Sequence, residues 1–374
     1  MRAAPSLRSL LLSAALLATA CGDRSDFVGP EDPPAVGGET PDPEPSGPRE
    51  DFGYWADGYL YADQPTRASY SPLSGTSLNR SGGAMSITKV AGTSGRYVAR
   101  FKGLSALLGT TRNTVRVTAS GDYPTYCRPV GAFLVRDSVE VRCFRMGTGA
   151  AANSTFFLQV VGKRDDRAFA FASQPTAASY SAPSSGSWNP AGATRVYRDG
   201  VGQYRVVFAN LGARLTASVA GHVQDNGVGT NKAHCKVPGW SGSPDLTVTV
   251  VCFTPAGVPV DTKFTALFTP PSAHLAYAWA DAATASEYHA YRVYASNPVG
   301  GSIVIQRHGV GRYEINWTGV TGEIRVYGNA QVMAYGEDGT QCKAFGIDTE
   351  YVEVQCYASN GVAIDSQFLV ALGS

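Results

Sequence analysis

The sequence predicts an all-β protein made of three tandem antiparallel domains of about 105 residues, each a β-sandwich or a small up-and-down β-barrel with one disulfide. Three observations carry this expectation. A cysteine followed by a basic residue, and then by an alternating apolar segment that ends in cysteine and an aromatic, occurs three times: Cys127-Arg128 to Cys143-Phe144, Cys235-Lys236 to Cys252-Phe253, and Cys342-Lys343 to Cys356-Tyr357. The first cysteines fall at 127, 235 and 342, so the period is 108 and then 107 residues. Solenoid and propeller repeats run to roughly 20 to 50 residues, so each copy here is a small globular unit. Finally, from about Phe52 the chain alternates short apolar segments with glycine, proline, serine and asparagine, without a helical period.

Residues 1–20 carry Arg2 and Arg8, an apolar run from Leu10 to Leu17 and small residues before Cys21, the pattern of an export signal. The run is too short to cross a bilayer. Leu17-Ala18-Thr19-Ala20-Cys21 resembles the lipobox of bacterial lipoproteins. That resemblance implies lipidation of Cys21 and attachment to the membrane through this lipid, at the bacterial cell envelope or surface; ordinary signal-peptidase cleavage is the alternative. Seven cysteines leave one over, which lipidation of Cys21 would account for. The other six pair within repeats, as Cys127 with Cys143, Cys235 with Cys252 and Cys342 with Cys356. From Cys21 to residue 51 the chain is rich in proline and acid and poor in aliphatic side chains, so it reads as a disordered tether.

The domains are expected at 52–163, 164–270 and 271–374. Each opens on an aromatic segment (Tyr59-Leu60-Tyr61, Phe169-Ala170-Phe171, Tyr277-Ala278-Trp279), followed by Tyr70, Tyr180 or Tyr288 and then Asn79, Asn189 or Asn297. A Gly-x-Tyr strand comes next, in which Tyr97, Ala99 and Phe101 alternate with Arg96, Val98 and Arg100, giving one buried and one wet face. The second cysteines should point inward with Val139 and Val141, Val248 and Val250, or Val352 and Val354. Short linkers at 162–167 and 270–274 predict a stiff rod of three beads, with a single closed assembly as the alternative. Where Val117-Thr118-Ala119 and Val332-Met333-Ala334 stand in two copies, the second has Asp225-Asn226-Gly227, which reads as a longer turn; a calcium loop there would lack further acidic positions.

Charge differs between the copies more than motif does. Residues 51–163 carry 13 bases and 6 acids, 164–270 carry 9 and 6, and 271–374 carry 5 and 10, for net charges of +7, +3 and −5. Arg96, Arg100 and Lys102 form a candidate basic stripe toward an anionic polymer; solvated surface charge is the plainer reading. Nucleic acid is not an expected partner of an exported chain with overall charge near neutral.

No catalytic residue, metal site or cofactor is expected. Gly239-Trp240-Ser241-Gly242-Ser243 lacks the last glycine of a nucleophile elbow, the five histidines are scattered, and His234 reads as a loop histidine beside a disulfide. Aromatics are the better binding candidates. Trp188 and Trp240 lie in loop-like stretches, and Phe144, Phe253 and Tyr357 alternate outward after an inward cysteine. Such side chains stack on sugars, anchor protein partners or cover contacts between repeats.

The ending Cys252-Phe253 to Gly257 to Asp261-Thr262-Lys263-Phe264, its copy from Cys356-Tyr357 to Asp365-Ser366-Gln367-Phe368, and the Gly-x-Tyr strands resemble tandem repeats of uncharacterised secreted proteins of actinobacteria and myxobacteria. The resemblance implies exported β modules and no particular substrate. The functional expectation is a non-catalytic surface lipoprotein whose repeats bind an envelope polysaccharide or a protein partner. A spacer without ligand and a secreted hydrolase are the alternatives.

Overall fold

The computed structural model describes residues 55–109, 112–215, 221–320 and 328–373. The expected signal segment 1–20, the lipidation site Cys21 and the tether to residue 51 lie outside the described residues.

Within 52–163 the strands are β1 (Gly58–Ala62), β2 (Ser69–Tyr70), β3 (Ser77–Asn79), β4 (Met85–Lys89), β5 (Arg96–Phe101), β6 (Asn113–Ser120), β7 (Thr125–Pro129), β8 (Ser138–Arg145) and β9 (Thr155–Gly162). They form two open antiparallel sheets, ordered β3-β1-β9-β6 and β2-β4-β5-β8-β7. Between them pack Leu60, Phe101, Val117, Val141, Cys143 and Leu158, which makes the unit a two-sheet sandwich. The second unit has β10 (Ala168–Ala172), β11 (Ser179–Ser181), β12 (Thr194–Gly200), β13 (Gln203–Phe208), β14 (His222–Gly227), β15 (His234–Ser241), β16 (Leu246–Phe253) and β17 (Phe264–Thr269), in sheets β10-β17-β14 and β11-β12-β13-β16-β15. In the third, β18 (Leu275–Ala280), β19 (Glu287–His289), β20 (Ala295–Ser296), β21 (Ile303–Gly309), β22 (Arg312–Trp317), β23 (Asn329–Ala334), β24 (Gln341–Ile347), β25 (Tyr351–Tyr357) and β26 (Phe368–Gly373) form sheets β20-β18-β26-β23 and β19-β21-β22-β25-β24.

The three disulfides join Cys127 to Cys143, Cys235 to Cys252 and Cys342 to Cys356, each across a neighbouring strand pair. The other recurring residues also prove to be fastenings. Gly202 N–H and the Tyr204 hydroxyl both donate to Asp261 Oδ1, at 2.9 Å each, while Arg198 grips the same carboxylate through two nitrogens. Gly311, Tyr313, Arg307 and Asp365 repeat the lock. In the first unit Asn153 takes the place of the acid and bonds Gly95 and Tyr97. Gly202 has φ +68°, and a Cβ there would sit 2.5 Å from the Cys252 carbonyl oxygen, so the turn requires glycine. Asn79, Asn189 and Asn297 each donate across their turn to two carbonyls.

In the five-stranded sheets the Gly-x-Tyr strands β5, β13 and β22 bury every second residue as expected, whereas the edge strands β7, β15 and β24, which carry the first cysteines, are buried on both faces over four or more residues. In the smaller sheets β6, β17, β23 and β26 are buried at every position, so both of their faces are covered. A run such as Phe156-Phe157-Leu158 is the signature of a strand buried on both sides. The second cover is supplied by the other units. Phe157 packs in the third unit's core, Met333 and Leu369 pack in the second's, and Val161 meets Phe169 and Leu267. Trp55 lies on Leu275, Tyr277 and Ala371, which brings the first unit against the third. The units therefore close into one assembly with all three pairs in contact, and the rod expected from short linkers is corrected: the linkers are short because the small sheets are packed back to back.

Candidate functional site

The surface candidates fare differently from one another. Arg96 is bonded to Glu140 (Nε to Oε1, 2.8 Å), which also accepts from Arg142, so Arg96 is withdrawn from the basic stripe. Arg100 is exposed and reaches the Ser138 hydroxyl at 3.4 Å; Lys102 is exposed in the turn after β5. Trp240 sits on strand β15, not in a loop, and is half-buried with its ring edge-on to Tyr294 and Tyr335 at 5.6 and 6.4 Å. Trp279 completes that cluster, so Trp240 seals the seam between the second and third units. Phe144, Phe253 and Tyr357 do turn away from their own cores but are buried: Phe144 and Tyr357 share a cluster with Tyr126 and Met146 that joins the first and third units, and Phe253 lies against His234 of its own unit.

Trp188 is partly exposed and packs against Val161, Phe169 and Leu267 where the first and second units meet. In the first and third units, edge strands β3 and β20 pair with the opening strand; in the second this pairing shrinks to one bridge between Phe169 and Trp188, with reciprocal N–H to O distances of 2.7 and 2.8 Å. The indole Nε1–H donates to the Arg164 carbonyl at 2.7 Å, which fixes the ring plane. Around it lies an open groove of about 590 Å³ lined by Lys163, Arg164, Asp165, Asp166, Trp188 and Arg214. The Lys163 ammonium stands 4.9 Å from the ring centre, and Asp166 is bonded to Arg167, so cations dominate the rim. A rigid aromatic platform flanked by cations and one exposed carboxylate suits an anionic saccharide.

The second concentration of chemistry lies inside, where the three small sheets meet. Thr118 bonds Gln331 at 3.0 Å, Gln224 donates to Gln331 at 2.6 Å, and Arg116 donates to the Thr265 hydroxyl, so polar groups stitch all three pairs of units. Asp225-Asn226-Gly227 is not a turn but the end of strand β14, in register with Ala266, Thr265 and Phe264. The Asn226 side-chain amide explains this: it donates to the Val117 carbonyl and accepts from the Val117 N–H, both at 3.0 Å, and so acts as a backbone rung across the seam. Burial pushes the Asp225 carboxyl well up, against the pull of Arg116 and Arg128.

The basic residue after each first cysteine, whose recurrence was visible without its role, crosses to the next unit. Arg128 donates to Asn231 Oδ1 at 2.6 Å and to the Ala233 carbonyl of the second unit; Lys236 meets Asp338 of the third at 2.5 Å; Lys343 donates to the Tyr123 carbonyl of the first, also at 2.5 Å. The circle is complete. These three residues line a small cavity of about 60 Å³ together with Asp225, His234 and Gln341. Burial lowers Lys343 to about 7, and burial with Lys236 nearby lowers His234 to about 3. His234 belongs to strand β15, so the loop histidine of the sequence reading is a buried neutral ring.

No protein-family model, curated protein or solved structure matches the chain.

Proposed function

We propose that the protein is a non-catalytic, exported lipoprotein, held to the membrane at the cell envelope by lipid on Cys21, that binds an acidic envelope polysaccharide in the Trp188 groove. The observation that carries the reading is the partly exposed indole, held by its Nε1–H bond to the Arg164 carbonyl on a backbone bridged to Phe169, and rimmed by Lys163 and Arg214. Its preorganisation means that binding need not order the ring, which favours affinity. Three disulfides support an oxidising compartment. A sugar ring would stack on the indole, its carboxylate or sulfate would meet the cations, and Asp165 would accept from hydroxyls.

The test is retention of the purified protein on acidic and neutral envelope polysaccharides over a salt series. Trp188→Ala should weaken binding about tenfold, or ~1.4 kcal/mol, and Lys163→Ala with Arg214→Ala should flatten the salt dependence. Retention on neither polymer, or retention indifferent to all three substitutions, refutes the groove. In that case a protein partner or a ligand-free spacer takes its place.

A further inference from the structure

We propose that the small cavity where the three units meet is a binding site for one small oxyanion, a phosphate or a carboxylate, held by Arg128 with Lys343. Geometry is the ground. Arg128 is 2% exposed, and although its Nη1 is engaged by the second unit, Nε and Nη2 have no hydrogen-bond partner among the described residues. Burying a guanidinium edge with donors unmet is costly, and the cavity beside it is lined by cations from every unit. Lys236 is matched by Asp338, whereas Lys343 bonds only neutral groups, the Tyr123 carbonyl and the Thr125 hydroxyl. Arg128 thus brings a positive charge that no described ion pair cancels, and Lys343, lowered to about 7, adds a second where it is protonated.

Among the described residues Asp225 is the one carboxyl lining the space, and its oxygens have no hydrogen-bond partner there. Burial raises this carboxyl well above the usual range, and in its protonated form it donates to an oxyanion rather than repelling it. A water needs roughly 10–15 Å³ measured this way, so about 60 Å³ admits a four- or five-atom oxyanion and little more. The guanidinium edge offers the paired donors that carboxylates and phosphates take.

Calorimetric titration of the whole protein with inorganic phosphate, sulfate and acetate, in chloride buffer of constant ionic strength, tests this. One site per chain is expected for at least one anion; the arms separate a tetrahedral from a planar preference. Arg128→Gln should weaken it at least tenfold and Lys343→Met at least threefold, while Trp188→Ala leaves it unchanged, which keeps this site apart from the groove. Should Arg128→Gln fail to fold by circular dichroism, Lys343→Met decides alone. No saturable heat with any of the three anions, or binding equal to wild type in the folded variants, overturns the proposal.

Discussion

Replacing Phe157 by alanine should destabilise the whole protein by ~3–5 kcal/mol, the cost of deleting a fully buried phenylalanine. The residue belongs to β9 of the first unit, but it is 1% exposed among core residues of the third and stacks on Tyr61 with ring centres 4.5 Å apart. Its loss opens a void at the contact between units, so the change should appear as a lowered urea midpoint seen equally by probes in all three. A midpoint shift confined to the first unit, or none, would mean that the units are joined only by their linkers. A loss of this size is a large share of the ~5–15 kcal/mol that holds most domains folded.

The second large effect is acid lability. His222 and His234 are buried, and burial lowers each to about 3, with Arg116 adding to the shift at His222 and Lys236 at His234. An unfolded histidine titrates near 6.5. Between about pH 3 and 6.5 the unfolded chain therefore binds protons that the folded chain refuses, so the histidines' contribution is fully present above pH 6.5 and is lost as pH drops toward 3. Each refused proton contributes about 1.4 kcal/mol per pH unit. Asp225 opposes this, since its raised carboxyl takes a proton in the folded state at a pH where the unfolded chain has lost it. The two histidines outnumber the one acid, so a net slope survives. Urea midpoints from pH 4 to 7 should rise steeply for the natural protein and much less for His222→Phe with His234→Phe. Parallel profiles would show that the histidines are solvated.

What the sequence made legible, and what it hid, follows from one physical distinction. The disulfide pairs and the alternating strands of the larger sheets depend on contacts inside one unit, and spacing plus period-two pattern are enough to find them. Arrangement between units depends on what covers the far face of a strand. The all-apolar run at Phe156-Phe157-Leu158 was the available signal for a second buried face, and it outweighs the short linkers that suggested a rod. Asp225-Asn226-Gly227 misled for the same reason: turn propensity is a local preference, and Asn226 gains two hydrogen bonds to Val117 of another unit that keep the segment extended. Of the site candidates, Trp188 was chosen as an aromatic in a loop and lies in a groove, whereas Trp240, equally visible, is spent on a seam with Tyr294 and Tyr335. Nothing in composition separates those two tryptophans. The recurring features close the fold, and the copies differ at Trp188 and Asp225, where chemistry gathers.

Closure of the three units into a single body is best tested by scanning calorimetry of the purified protein with its disulfides intact. A closed assembly with shared cores predicts one transition whose van't Hoff enthalpy equals the calorimetric enthalpy. Two or three resolved transitions, or a van't Hoff enthalpy near one third of the calorimetric value, would show three independently melting beads and contradict the account.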